Sequence, residues 1–388
     1  MAAPDAWQPL EGVRIVDFSM LLPGPLTTVV LADLGAEVIK VEPPGGDYAR
    51  QMKNNTLKGT NRNKRSIALD LKVASARQVV DRLAAWADVV VEGFRPGVAD
   101  KLGFGPARLR GINPGLIYCS ISGFGQTGPA RTHPGHDLAY MAMGGGMAHK
   151  GQLRSPPQRA ALPVADYLGG AYAGIAILAA LRERDRTGKG IAIDLSLYES
   201  VLFATLMRFG PETPPTSLTH LFPANDVFAC ADGKQLALTV VEQKFWDNFV
   251  AAVGGAFPEI ASPDFADEQG RLEHHLRLMD LLDAMFSTRP AAEWIALLER
   301  YDVPAAICVT PAEALASAHA RARALHHETA EGPVMPFPAV TDRGRVPPPR
   351  RGAPPLSMDA HAILEQIGFE RDEAARLLAD GAVVAPPS

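Results

Sequence analysis

Through the first third of the chain, short apolar runs alternate with stretches of helical periodicity. "GVRIVDFS" is rich in β-branched residues and leads into "LLPGPLTTVVLADLGA", where a proline near the start and Gly35 past the end frame a helix. A second strand, "EVIKVEPP", follows. Then come "SIALDL" (66–71), a helix through "ASARQVVDRLAAWA", the strand "DVVVEGF" (88–94), a further helix-like stretch and "GLIYCSISGFG" (115–125). Strands that alternate with helices predict parallel βαβ units, so the expected fold class is α/β with a Rossmann-like parallel sheet.

Past "IAIDLSLYESVLFATL" the pattern changes. "NDVFACADGKQLALTVVE" reads as a hairpin around Asp232-Gly233, and several helices follow to about residue 325. The expected division is residues 1–224 as a large domain, 225–325 as a smaller one, and 326–388 as a tail. That tail has a Pro/Arg-rich extended piece and two short helices, the clearer being "GFERDEAARLLADG", and too little apolar surface to fold alone.

Composition narrows the class of partner. The 388 residues are 47% hydrophobic and 21% charged, with a formal charge of −5, which suits a soluble globular protein and argues against nucleic acid or an anionic membrane as a partner. The start "MAAPDAWQPLEGVRIVDF" has no apolar leader, and the run "YAGIAILAAL" is shorter than a bilayer requires. Cys119, Cys230 and Cys308 lie far apart with no CxxC spacing, so no metal site is expected, and a reducing cytoplasm is the expected compartment.

The turn after the first strand reads "DFSMLLPGP" rather than GxGxxG, which removes the main support for a nicotinamide cofactor; GxxxxGK[ST], HExxH and GxSxG are also missing. More suggestive is "HPGHDLAYMAMGGG", where His136 and Asp137 stand at the mouth of a two-turn helix. By spacing alone, Asp137 and Asp166 read as helix N-caps, His136 as a structural histidine and Glu242 as a solvated carboxylate.

The order of longer words changes that balance. "LEGVRIVDFS", "LADLGAEVIKVEPP", "NRNKRSIALDLK", "ADVVVEGFRPGVADKLGFG", "NPGLIYCSISGFGQTGP", "GHDLAY", "ADYLGG" and "RTGKGIAIDLSLYES" together resemble the family III CoA-transferases, the superfamily that holds formyl-CoA transferase and alpha-methylacyl-CoA racemase. The resemblance implies a large Rossmann-like domain made from both chain ends, a small α+β domain from the middle, and an interlocked homodimer. It implies an acyl-CoA thioester as substrate and no prosthetic group. In its transferases the aspartate at Asp166 forms an acyl anhydride. Its racemases pair that aspartate with the histidine of "GHD" at His136 and a glutamate at the position of Glu242, and all three are present here.

Racemisation alpha to a thioester needs a base on one face of the carbon and an acid on the other, and imidazole and carboxyl groups serve both roles near neutral pH. The expected activity is therefore acyl-CoA racemisation, with CoA transfer through Asp166 and non-catalytic acyl-CoA binding as alternatives. For the CoA itself, the resemblance points to Leu69, Lys72, Arg95 and Lys101, with Gly135, Asp137 and Tyr140 of "GHDLAY" beside the thioester. One departure stands out: "EPP" places Pro43 where many relatives carry an arginine, leaving Lys40 or Arg50 to compensate. The basic run "KGTNRNKRS" offers Lys58, Arg62, Lys64 and Arg65 as further phosphate contacts.

Overall fold

The computed structural model describes residues 7–329 and 332–386. Residues 1–6, which open the stretch read for a leader, and the last two residues of the tail lie outside the described residues. Six strands form one parallel sheet: β1 (Arg14–Asp17), β2 (Glu37–Glu42), β3 (Lys64–Ala68), β4 (Val89–Glu92), β5 (Ile117–Ser122) and β6 (Ala192–Ser196). Their order is β3-β2-β1-β4-β5-β6, the doubly wound order. The chain leaves β1 toward one edge and returns at β4 to build the other. A crevice opens between β1 and β4 at the carboxyl ends of the strands, the usual ligand position in such sheets.

Alternation along the strands sends successive side chains to opposite faces. Ile15, Val38, Val89 and Ile117 enter one core with Ala173 and Ile177 of the helix Val164–Thr187. Val16, Ile39, Ile67 and Val90 enter the other, with Phe104 and with Ile363, Leu364 and Leu377 from the end of the chain. The framed helix spans Pro23–Asp33, with Gly35 at φ +109° beyond it, as the sequence pattern implies.

The tail docks along β3. Ser357 N donates to Ser66 Oγ (3.0 Å), Ser66 N to Asp359 Oδ2 (2.9 Å), Asp70 N to Ala382 O (3.0 Å) and Val384 N to Ala68 O (3.0 Å). Backbone groups of an edge strand that would otherwise stand open are thereby satisfied.

Helix Val164–Thr187 extends the run read from sequence as too short for a bilayer. At 24 residues it is long and apolar enough to cross one by length and composition. Its packing gives another reason for that composition: Thr27 Oγ1 donates to Gly170 O (2.9 Å), and a Cβ at Gly170 would sit 2.8 Å from Pro23 O. Only glycine permits that approach of two helices.

The chain divides into two compact units. The larger holds the residues up to Gly146, Ala160–Arg208 and everything from Arg323 onward; the smaller holds Met147–Arg159 and Phe209–Ala322. Within the smaller unit, β7 (Asn225–Ala229), β8 (Gln235–Thr239) and β9 (Ala305–Ile307) form an antiparallel sheet, with Gly233 at φ +76° in the β7–β8 turn. Phe228, Trp246, Phe249, Phe286 and Trp294 fill its core, and Trp294 Nε1 donates to Phe286 O (2.9 Å).

Candidate active site

The exit of β1 is fixed by a buried charge network. Asp17 accepts hydrogen bonds from Ser19, Thr28 (2.6 Å) and Lys64 Nζ (3.0 Å). Burial raises the Asp17 carboxyl, but the charges of Lys64 and Lys40 and the two hydroxyls outweigh it and hold the group at about 2. Lys64, desolvated beside that carboxylate, sits at about 8. Lys40 pairs with Asp47 (2.9 Å) and donates to Ser19 O (2.9 Å). Asp47 in turn accepts from Leu21 N (3.0 Å), which holds Leu21 at φ +66°, a conformation unfavourable for a branched side chain. The loop Ser19–Gly24 is thus shaped from beneath by four buried charges.

Above it lies a cavity of about 520 Å³ at the switch point of the sheet. Its walls come from the β1 loop (Met20, Leu21, Pro23, Gly24), the β4 loop (Gly93, Phe94, Arg95, Pro96), the end of β5 (Ile121, Ser122, Gly123) and the stretch Arg131–His136, with Tyr140, Asp166 and Leu197. Of the sequence candidates, it brings together Arg95, Gly135, His136, Tyr140 and Asp166.

His136 is the N-cap residue of the helix Asp137–Met143 and is exposed toward solvent. Asp137 is buried and does not line the cavity. Its Oδ1 accepts from Ala165 N (2.7 Å), tying the His136 helix to the start of helix Val164–Thr187. Sequence placed Asp166 ahead of its helix; it is instead the third residue, because Pro163 is the N-cap and the helix begins at Val164. Burial, and then the charge of Asp137, push the Asp166 carboxyl up to about 7, against the helix N-terminus, which favours the anion.

Tyr140 braces this arrangement. Its hydroxyl donates to Gly135 O (2.6 Å), its ring meets Phe124 edge to face at 5.3 Å, and burial raises its phenol to about 12. A Cβ on Gly135 would lie 2.7 Å from the ring, so glycine is needed for the loop to reach the tyrosine.

The remaining candidates other than Glu242 lie elsewhere in the large unit. Leu69 and Lys72 line a second hollow of about 330 Å³ with Phe18, Val41, Pro43 and Leu102, and Met20 and Phe94 border both hollows. Lys101 ends the short helix Val98–Lys101 and is exposed. The compensation expected for Pro43 is not available from its neighbours: Lys40 is buried against Asp47, and Arg50 is bidentate to Glu42 at 2.7 Å through both nitrogens. The basic run is mostly spent inside the fold as well, with Arg62 on Asp33, Lys64 on Asp17 and Arg65 on Glu37. Glu242 belongs to the small unit, where it is the N-cap residue of the helix Gln243–Val253.

Sequence reasoning passed over Arg131, His133 and Ser122, all in the cavity wall. Arg131 and His133 sit in the same "ARTHPGHD" run as His136, and their proximity to that residue was the available signal. Among the described residues no group of three or more His, Cys, Asp or Glu side chains is arranged to hold a metal ion.

A doubly wound sheet with an imidazole and a near-neutral carboxyl at its switch point defines a small-molecule site without the phosphate loop of a dinucleotide enzyme. The CoA-transferase family III model matches residues 10–360, and the chain belongs to that family. It is 36% identical over 334 residues to succinyl-CoA--D-citramalate CoA-transferase of Chloroflexus aurantiacus, covering 81% of this chain and 82% of that one. It is 31% identical over 388 residues to the alpha-methylacyl-CoA racemase of Homo sapiens, covering 96% of each. Among solved structures, a CAIB/BAIF family protein from Brucella suis superposes with a TM-score of 0.81 at 30% identity, over 93% of this chain and 99% of that one. The chain is thus an enzyme of the family III CoA-transferase and racemase class, whose substrates are CoA thioesters.

Proposed function

We propose that this enzyme inverts the α carbon of a 2-methylacyl-CoA by 1,1-proton transfer between His136 and Asp166. The observation that carries the reading is the pairing, in one cavity wall, of an imidazole at a helix mouth with a carboxyl at about 7. A nucleophile is best fully ionised, whereas a group half protonated at neutral pH suits an acid that becomes a base when the direction reverses. In one direction the imidazole removes the α proton, the electron pair moves onto the thioester oxygen as an enolate, and the Asp166 carboxylic acid protonates the other face. The reverse direction exchanges the roles, so the pair carries one working proton. Glu242 stays in the proposed catalytic set on the resemblance to racemases. An interlocked homodimer and a cytoplasmic location belong to the same proposal.

A second reading, CoA transfer between carboxylic acids through an Asp166 anhydride, is favoured by the transferase activity in the name of the Chloroflexus relative. Deuterium uptake separates the two. Single-isomer 2-methylacyl-CoA thioesters incubated with the enzyme in heavy water, without an acceptor acid, are expected to gain deuterium at the α carbon at the rate of inversion, and His136→Ala to lose nearly all of it. No uptake by the wild type across short, long and sterol-like chains refutes the racemase reading, and acyl transfer to an added carboxylate then takes its place.

A further inference from the structure

One carboxyl at the switch point has no part in the chemistry proposed above. Six acidic side chains are buried among the described residues: Asp17, Asp33, Glu42, Asp47, Glu92 and Asp137. Four of them meet a cation, Asp17 on Lys64, Asp33 on Arg62, Glu42 on Arg50 and Asp47 on Lys40. Asp137 is taken up in joining two helices. Glu92, the last residue of β4 and 3% exposed, has no ion pair among the described residues. Its Oε2 accepts from Phe94 N (2.7 Å), and Ser120, its partner across β5, bonds the same carboxyl. The titratable groups around it are all acids: Asp100 of the helix Val98–Lys101, Tyr118 and Cys119 of β5, and Asp194 of β6. Burial pushes the Glu92 carboxyl up to about 7; the bonds from Ser120 and the Phe94 amide oppose that, and the charges of Asp100 and Asp194 add to it.

The turn that Glu92 holds is a wall of the site. Gly93, Phe94, Arg95 and Pro96 line the large cavity, and Phe94 borders the second hollow too. Phe94 meets Phe104 edge to face at 5.5 Å, so the turn is fixed at two points, by that ring and by the bond from its own amide. We infer that Glu92 is a positioning residue, an acid beneath the cavity that shapes the β4 wall for the CoA thioester and stays uncharged while the thioester is bound. As an acid it keeps the bond from the Phe94 amide without placing a charge there. Ionised, it sets a negative charge with no cation beside it under a cavity that receives a ligand bearing phosphates. The two repel, so binding of the thioester and loss of this proton oppose each other. The inference rests on the cavity as the thioester's site, and holds whether the chemistry there is proton transfer or acyl transfer.

Binding of 2,2-dimethylbutanoyl-CoA, a thioester with no α proton to lose, provides the test. Calorimetry compares the wild type with Glu92→Gln from pH 5.5 to 8.5. Glutamine keeps an acceptor for the Phe94 amide and takes up no proton. Asp166, the histidines and the ligand's phosphates are common to both proteins, so the ratio of their dissociation constants reads Glu92. The two are expected to bind equally at pH 5.5, and the variant about threefold to tenfold more tightly at pH 8.5, the size of one buried charge acting on an anion across the cavity. Glu92→Ala, which leaves the Phe94 amide without its acceptor, is expected to bind about tenfold more weakly than Glu92→Gln at both pH values. A ratio of wild type to Glu92→Gln that does not change with pH overturns the inference, because the charge of Glu92 is then not felt in the site. So does a Glu92→Ala enzyme that binds as tightly as Glu92→Gln, because the bond to Phe94 then positions nothing.

Discussion

Replacing Asp166 by Asn separates the chemistry of the site from its stability. The carboxyl at about 7, against an ordinary 3.8, means that the folded chain binds this proton more tightly than the unfolded chain does. A carboxyl raised on folding lowers stability as pH climbs from its unfolded value to its folded one, and the loss is complete above the latter. At 1.36 kcal/mol per unit, the penalty is on the order of 1–2 kcal/mol at pH 5 and about 4 kcal/mol at pH 8. Asparagine is nearly isosteric and carries no charge, so the variant should be more stable than the wild type, by a margin that widens by about 2–3 kcal/mol between those two pH values. Urea midpoints of both proteins at pH 5, 6, 7 and 8, with α-proton exchange measured on the same preparations, provide the assay. The expected result is a gain in stability that grows with pH, accompanied by loss of exchange. A margin that stays flat from pH 5 to 8 refutes the argument, because Asp166 is then ionised in the fold throughout that range and cannot serve as the acid.

Two further predictions concern the support of the site. Gly135→Ala forces a methyl group against the Tyr140 ring and should destabilise the large unit by about 1–3 kcal/mol and lower kcat/KM, as thermal melts and exchange rates will report. Lys64→Met leaves Asp17 and Asp47 without one of their two buried cations and should cost about 3–5 kcal/mol at pH 7; the deficit should shrink as the pH falls toward 2, where Asp17 takes up its proton, and a pH-independent deficit would contradict the network.

Much of this architecture was legible from periodicity. The framed helix, the β7–β8 hairpin and four of the strands of the parallel sheet fell where apolar runs and turn residues placed them, because local chemistry decides such elements. Strand limits were less legible: the run read as 66–71 pairs with β2 only over Lys64–Ala68, since Leu69 bridges instead to Val383, more than three hundred residues away. The strand order and the switch point are properties of the whole sheet. His136 at a helix mouth was readable from "GHD"; the burial and the Asp137 neighbour that set the Asp166 proton affinity were not. The basic run "KGTNRNKRS" misled for the opposite reason, because its acidic partners Asp17, Asp33 and Glu37 lie on distant stretches of chain.

The docking of the tail on β3 also has a consequence for biosynthesis. Ser66 meets Ser357 and Asp359 across about 290 residues of intervening chain. At the usual pace of translation, β3 waits about 15–60 s between its own emergence and that of the segment that covers it. During that interval the nascent sheet presents an open edge, a template for pairing with another nascent chain. A stop codon just before Ser357, which removes no residue of the cavity wall, would make that interval permanent, and the product should accumulate on chaperones or in aggregates rather than as a shortened enzyme.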